Sequence, residues 1–259
     1  MSDKKFLILA RKRTGSSMLR SALDSHPNVS CLGEIFRVDR PLAERDKALK
    51  IMRRLTGLKD ESPEQVDAYI RDNALRFFDD VLAADDRLEA LGCKIFIRHH
   101  PQFIRDLSRD EDSCIINLRR PNALAAYSSQ LIADATGKHN LKVGDGRGAG
   151  GSDERVRKKV DFSAEEFTAY RDRISRSDIR MAELLEGARC KMLDIEYMDL
   201  LRRDPFGEVL AFLDVDQTVD IKPRTVKGNS SNLLLRFNNP DIVLQYLEKE
   251  GLSGWAEEG

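Results

Sequence analysis

Residues 6–28 read FLILARKRTGSSMLRSALDSHPN, and the order of the first structural elements follows from them. Phe6–Ala10 is a short, continuous apolar run, which is typical of a strand buried on both faces of a parallel sheet. A basic loop, residues 11–15, comes next, and Ser16–Ser25 has the apolar spacing of an amphipathic helix. His26-Pro27 ends this helix, because the residue before a proline resists the α-helical region. The sequence therefore predicts a strand, a basic glycine loop and a helix.

Three later apolar runs repeat the strand signal, at Cys93–Ile97, Cys114–Leu118 and Cys190–Ile195. Helical segments alternate with these runs, and two of them begin at Pro101 and Pro121. Strands that alternate with helices form βαβ units, and helices then cover both faces of the sheet. We therefore predict an α/β fold in which helices flank a parallel sheet.

A single domain is predicted to span residues 1–259, because a chain of this length with 41% hydrophobic residues can bury one substantial core. A helical insertion is expected over about residues 37–91, where the sequence is dense in charge and apolar residues recur at helical spacing. Ser62-Pro63-Glu64 predicts a helix start within it, with serine as N-cap and proline at the first helical position.

A flexible segment is expected over about residues 138–160. Its residues 144–151 include five glycines, and the basic run Arg155–Lys159 follows. Glycine keeps many backbone conformations accessible, so the segment needs a partner to become ordered. Residues 144–159 are therefore interpreted either as a lid that closes over a ligand or as a linker.

The composition excludes several classes of protein. Lys plus Arg number 43 and Asp plus Glu 44, so the net charge is −1, which argues against a general nucleic-acid-binding protein. The four cysteines are widely scattered and form no metal or disulfide pattern, so they indicate buried thiols in a reducing compartment: Cys31, Cys93, Cys114 and Cys190. No stretch approaches the roughly 18 uninterrupted apolar residues of a membrane span. We predict a cytoplasmic protein without a membrane span.

The loop at the start of the first helix has the features of an anion site. A Gly- and Ser-rich turn that opens a helix presents backbone N–H groups and the positive end of the helix dipole. Arg13 adds a positive charge, and Ser16 and Ser17 add hydroxyl donors. A nucleoside-triphosphate P-loop has the pattern GxxxxGK[ST], with a lysine before the final Ser or Thr. Gly15 stands at that position, so the triphosphate interpretation lacks its main cation.

The stretch from Arg13 to Val29, with Gly33-Glu34 after it, resembles the opening of sulfotransferases that use 3'-phosphoadenosine-5'-phosphosulfate (PAPS). The tyrosylprotein, carbohydrate and bacterial nodulation-factor branches are the most similar. The resemblance implies a P-loop-like sulfotransferase fold and transfer of a sulfuryl group from PAPS to an acceptor hydroxyl, leaving adenosine 3',5'-bisphosphate and requiring no metal. It makes Glu34 the base and Arg13 a catalytic cation. It also implies the 5'-phosphosulfate ligands Arg13, Thr14, Gly15, Ser16 and Ser17.

Two further segments resemble the part of these enzymes that binds the 3'-phosphate. Arg120 follows an apolar strand and Ser128 lies eight residues on in the next helix, the spacing found in the family. Arg119 and Ser129 are alternatives, because the register is open by one residue. Val226-Lys227-Gly228-Asn229 resembles the segment that closes over the 3'-phosphate, which implies Lys227 and Gly228 as further ligands.

The sequence around Glu34 supports its role as base. Apolar residues flank it, so we expect a partly dry cleft that raises its pKa towards useful base strength. His26, His99 and His100 are second-choice bases.

The acceptor remains open among a sugar, a lipid-linked glycan, a phenol and a peptide tyrosine, and the sequence does not indicate an oligomeric state. Two alternatives to a sulfotransferase are a nucleotide-dependent kinase on a similar sheet and a nucleotide-binding protein without catalysis. The missing lysine before Ser16 counts against the kinase. The presence of a candidate base counts against the non-catalytic protein.

Overall fold

A computed structural model describes residues 4–37, 50–51, 61–138, 141–142, 158–202, 205–226 and 228–258. Its strands are β1 Lys4–Ala10, β2 Val29–Cys31, β3 Ala90–Ile95, β4 Cys114–Arg119, β5 Leu141–Lys142, β6 Lys191–Glu196 and β7 Thr225–Val226. Within the described residues, five of these strands form a parallel sheet in the order β2-β3-β1-β4-β6. Strands β5 and β7 form a separate antiparallel pair.

Of the described α-helices, all but the last lie between these strands along the chain. They are α1 Ser16–Leu23, α2 Pro63–Asp72, α3 Ala74–Ala83, α4 Pro101–Ser108, α5 Ala123–Thr136, α6 Ala164–Leu184, α7 Asp199–Arg202, α8 Phe206–Phe212 and α9 Pro240–Lys249. Short 3₁₀ helices at Leu234–Arg236 and Ser253–Ala256 lie on either side of α9 in the sequence. The predicted strand, loop and helix at residues 6–25 are present as β1, a turn and α1.

Strand β1 is the centre of the sheet, and both of its faces are covered. Phe6, Ile8 and Ala10 face a cluster that contains residues of α1 and α8. Leu7 and Leu9 face the opposite cluster, which contains residues of α2, α3 and α4. The apolar run of β1 is uninterrupted because neither face meets solvent. The predicted α/β fold with a parallel sheet flanked by helices is confirmed.

Helices α2 and α3 lie within the predicted helical insertion. Ser62 caps α2 through a capping box with Gln65, and Pro63 occupies the first turn, as the sequence predicts. Val66, Ile70 and the phenylalanines of α3 are buried against the sheet, so these helices contribute to the main core. Residues 38–49 and 52–60 lie outside the described residues. The single-domain assignment therefore stays a prediction.

A third cluster lies beside α5. Its aromatic members come from α5, α6, α9 and the segments next to them, and they include Tyr127, Phe162, Phe167, Phe237 and Tyr246. This cluster fixes α6 against α5, which places one face of α6 near the carboxyl edge of the sheet. Among the described helices, none is both long enough and apolar enough to span a membrane.

Candidate functional site

The loop between β1 and α1 leaves the carboxyl edge of the sheet, where ligands bind in open α/β folds. Arg13 and Gly15 both have left-handed backbones, with φ of 64° and 85°. A Cβ atom at Gly15 would lie 2.6 Å from the ring of Tyr197, which follows β6. Glycine is therefore required at position 15 both by its φ and by the close approach of Tyr197.

The loop is stabilised by its own hydrogen bonds and by α5. The Thr14 hydroxyl donates to the Arg11 carbonyl oxygen at 2.8 Å. Nε of Arg13 donates to the Ser129 hydroxyl in α5 at 3.0 Å. The N-terminal end of α1 has no side-chain cap, so its first N–H groups, those of Ser16 and Ser17, point towards the loop. The arrangement has the N–H groups, hydroxyls and cation that an oxyanion requires.

Glu34 lies close to this loop, and Lys94 of β3 joins the two. Nζ of Lys94 is 2.5 Å from Oε1 of Glu34, and it donates to the Ser17 hydroxyl at 3.3 Å. Arg37 approaches the other carboxylate oxygen of Glu34 at 3.5 Å. The structure therefore brings the predicted base and the predicted phosphosulfate loop into one hydrogen-bonded group.

Lys94 is a site residue that the sequence analysis missed. Its side chain is only 9% exposed, although it lies in an apolar strand. A charge in a buried strand needs a partner, so a lone lysine in the run Cys93–Ile97 is the signal that identifies it.

The expectation that the pKa of Glu34 is raised is wrong. Burial raises it, but the charge and hydrogen bond of Lys94 act in the opposite direction, with smaller contributions from His99 and Arg37. The net result is a Glu34 pKa below its ordinary value of 4.5. Glu34 is thus a carboxylate at neutral pH. Its apolar sequence neighbours did not reveal the cation that comes from β3.

The three histidines considered as second-choice bases differ in position. His26 contacts the Asp216 carbonyl oxygen at 3.0 Å and accepts from the Asn28 N–H at 3.1 Å. His100 caps α4, where its Nδ1 accepts from the Phe103 N–H at 3.1 Å. Both rings are thus hydrogen-bonded within the fold. His99 packs on the ring of Phe96, 4.8 Å between centroids, and is the one whose charge affects Glu34.

Arg120 lies on the other side of the loop in a buried ion pair. Its Nε and Nη2 donate to the two carboxylate oxygens of Glu258 at 2.6 and 2.5 Å. Its Nη1 donates to the carbonyl oxygen of Arg13 at 2.7 Å, and the guanidinium stacks over Tyr197, 4.1 Å from the ring centroid. Arg120 therefore supports the loop backbone directly.

Ser128 is buried nearby but contacts a different arginine. Nη1 of Arg236 donates to the Ser128 hydroxyl at 3.0 Å, and Nη2 of Arg236 lies 3.9 Å from Glu258. Arg120 and Ser128 are thus connected through Arg236 and Glu258. The structure does not show them converging on an open space.

The remaining 3'-phosphate candidates are placed as follows. Arg119 is exposed and lies 3.4 Å from Asp194, whereas Ser129 contacts Arg13 of the loop. Gly228 is half-buried, and Lys227 lies outside the described residues. Of the proposed lid, residues 144–157 also lie outside them.

A cleft of about 740 Å³ opens beside the loop, at the carboxyl ends of β1 and β3. Its floor is formed by residues 10–12 and 96–98, and its walls by α5 and α6. The wall residues include Tyr127, Gln130, Tyr170 and Arg173. Phe96 connects the cleft to the Glu34 group, because Nζ of Lys94 lies 5.5 Å from its ring centroid.

A comparison with known proteins finds a relative in sequence. The chain is 29% identical over 218 residues to Nodulation protein H of Rhizobium tropici, covering 82% of this chain and 76% of the relative. The crystal structure of a sulfotransferase from Alicyclobacillus acidocaldarius matches with a TM-score of 0.43 and 18% identity, over 98% of this chain and 99% of that one. No protein-family model matches the chain. The sequence relative agrees with the resemblance of residues 13–34 to the nodulation-factor branch of sulfotransferases.

The buried carboxylate of Glu258 gives a first prediction. Glu258→Ala leaves the guanidinium of Arg120 buried and without its partner, which is expected to cost about 3–5 kcal/mol of unfolding free energy. Glu111→Ala is the control, because Glu111 forms an exposed ion pair with Arg189 and should change stability by about 0–1 kcal/mol. Urea unfolding measures both. If both variants lose the same small amount of unfolding free energy, the Arg120–Glu258 pair does not stabilise the fold.

Proposed function

We propose that the protein transfers a sulfuryl group from PAPS to a hydroxyl group of an acceptor. The observation on which the proposal rests is the contact of Lys94 with both Ser17 and Glu34, at 3.3 and 2.5 Å. It joins the predicted phosphosulfate loop and the predicted base at the edge of the sheet where ligands bind. The similarity to Nodulation protein H and the resemblance of residues 13–34 to sulfotransferases support the same activity.

The loop residues fit the phosphosulfate end of PAPS. The uncapped N-terminus of α1 supplies N–H groups, and Arg13 and Lys94 supply positive charge on either side of it. Ser16 and Ser17 are proposed to donate hydroxyl hydrogen bonds, while Thr14 and Gly15 shape the loop through their contacts with Arg11 and Tyr197.

The 3'-phosphate end is proposed to lie on Arg120, Ser128, Lys227 and Gly228. Among the described residues, Arg120 uses two N–H groups on Glu258 and one on the Arg13 carbonyl oxygen. A guanidinium has five N–H donors. The proposal therefore requires the phosphate either to replace Glu258 on Arg120 or to accept from the two remaining N–H groups.

PAPS supplies the sulfuryl group in this scheme and leaves as adenosine 3',5'-bisphosphate. Glu34 accepts the proton of the acceptor hydroxyl as the hydroxyl oxygen attacks sulfur, and the bond from sulfur to the bridging phosphate oxygen breaks. Lys94, Arg13 and the loop N–H groups stabilise the negative charge that develops on the bridging oxygen. The scheme calls for no metal ion. The acceptor is proposed to be a carbohydrate, such as a glycan, or another small molecule, and the cytoplasmic location stays a prediction.

Ligand binding tests the proposal against the kinase alternative. We expect adenosine 3',5'-bisphosphate to bind more tightly than adenosine 5'-phosphate, by about tenfold or more, because a charge-assisted contact is worth on the order of 1.5–3 kcal/mol. ATP is expected to bind weakly. Isothermal titration calorimetry measures all three ligands under one set of conditions. Tight binding of ATP with no preference for the bisphosphate would favour the kinase.

Removal of the base tests whether the protein is a catalyst. Glu34→Gln is expected to leave the affinity for adenosine 3',5'-bisphosphate nearly unchanged and to lower turnover by about 10² or more, the usual size of general-base catalysis. Turnover is measured with saturating acceptor. Glu111→Gln, an exposed change, is the control. Near-normal turnover in Glu34→Gln would eliminate Glu34 as the base.

The Lys94–Glu34 contact predicts the pH dependence of catalysis. Glu34 must be deprotonated to act as base, so kcat/KM falls as the pH drops through its pKa, which lies below 4.5. Lys94→Met removes the strongest influence that lowers this pKa and keeps the burial that raises it. The acid limb of the kcat/KM profile should therefore move to higher pH.

Arg37→Met is the matched variant, because Arg37 contributes less to the Glu34 pKa than Lys94 does. Its acid limb should move by a smaller amount in the same direction. An acid limb that stays in place in both variants would show that another group titrates.

A further inference from the structure

The cleft beside the loop is built by different residues from those proposed for the nucleotide. Its floor comes from the ends of β1 and β3, whereas Arg120 and Ser128 follow β4 and lie outside its lining. Phe96 forms part of the floor and lies under Nζ of Lys94 at 5.5 Å from the ring centroid. Phe96 thus adjoins both the cleft and the Glu34–Lys94 pair.

Positive charge predominates in the cleft, with four basic and two acidic side chains in its lining. Arg11 is paired with Asp178 of α6. Within the described residues, the structure records no ion pair for the other three basic side chains, which are all exposed: Lys12, Arg98 and Arg173. They come from two strand ends and from α6, so they surround the cleft.

The two acidic side chains of the cleft accept hydrogen bonds from neutral donors. Asp134 accepts from the Gln130 amide at 2.7 Å, and Glu166 accepts from the Tyr127 hydroxyl at 3.3 Å. Neither contact supplies positive charge, but both direct the carboxylates towards side chains of α5. The three basic side chains remain available to a ligand.

Aromatic rings provide the second chemical feature of the cleft. The rings of Tyr127 and Tyr170 lie 5.2 Å apart, and the Arg173 guanidinium lies 5.7 Å from the Tyr170 centroid. Burial raises the pKa of Tyr127 to about 12, and it also raises the pKa of Tyr170 against the opposing effect of nearby arginines. Both phenols are therefore neutral, and they offer ring faces beside the positive charges.

We propose that this cleft binds the acceptor, and that the acceptor carries an oxyanion, such as a carboxylate, sulfate or phosphate, next to a ring. Arg173, Arg98 and Lys12 bind the oxyanion, and the rings of Tyr170 and Phe96 contact the ring of the acceptor. The acceptor hydroxyl then extends past Phe96 towards Glu34. This inference rests on the proposed function, because only a transferase has an acceptor. The preference of the cleft for an anionic ligand can nevertheless be measured without turnover.

Matched pairs of small molecules test the preference for an anion. One pair is 4-hydroxyphenylacetate and its amide, and the other is methyl glucuronide and methyl glucoside, so that phenols and sugars are tested separately. Ligand-observed NMR titration gives each affinity. We expect the anionic member of at least one pair to bind about tenfold more tightly than its neutral partner, the size of one charge-assisted contact.

Two variants on α6 locate the effect. Arg173→Gln should reduce the preference for the anion to less than about threefold, since it removes one of three cations. Arg176→Gln is the control, because Arg176 is exposed on the same helix but does not line the cleft. Equal effects of the two variants would indicate a general surface charge and overturn the inference. So would tighter binding of the neutral members, or the absence of binding by all four molecules.

The outcome separates this inference from the proposed function. Adenosine 3',5'-bisphosphate is titrated into the same protein samples. If the unaltered protein does not bind the bisphosphate but still prefers anionic small molecules, the sulfotransferase proposal is refuted and an anion-binding cleft remains. Bisphosphate binding without any anion preference would refute only the inference about the acceptor.

Discussion

The buried ion pair between Arg120 and Glu258 holds the loop of the site in its conformation. Arg120 also donates to the carbonyl oxygen of Arg13, a residue with φ of 64°. A non-glycine residue in the left-handed region costs on the order of 1–3 kcal/mol, so it persists only where its surroundings fix it. Tyr197 packs between the Arg120 guanidinium and Gly15 and completes that support. The loop is thus supported by three distant parts of the chain: Arg120 after β4, Tyr197 after β6, and Glu258.

Two buried cations border the loop, and their partners give them different roles. Arg120 is paired with Glu258 and supports the Arg13 carbonyl oxygen, so its charge stabilises the loop in addition to its proposed role at the 3'-phosphate. Lys94 is paired with Glu34 and reaches Ser17, so its charge lies where the reacting groups are proposed to bind. The same pairing lowers the pKa of Glu34. A base of this kind depends on being ionised and well placed near the hydroxyl, because its intrinsic proton affinity is small.

The sequence predicted what depends on local pattern and missed what depends on distant contacts. The apolar run of β1, the glycine turn and the helix after it are local, and the parallel sheet follows from their repetition. Lys94 pairs with a residue 60 positions away, and Glu258 with one 138 positions away. No spacing rule connects such residues. The register of the 3'-phosphate candidates was open by one residue in the sequence. The structure separates the two arginines, because Arg120 is buried and Arg119 is exposed. It does not separate the two serines, because Ser128 contacts Arg236 and Ser129 contacts Arg13.

The most direct test of the proposed activity is transfer of a radiolabelled sulfuryl group from PAPS to a panel of hydroxyl-bearing acceptors. The panel includes sugars, phenols and a tyrosine peptide, each with and without a carboxylate. A PAPS-dependent sulfotransferase gives labelled product and an equal amount of adenosine 3',5'-bisphosphate, with no transfer from ATP. Consumption of ATP with phosphorylated product, and no label transferred from PAPS to any acceptor, would contradict it.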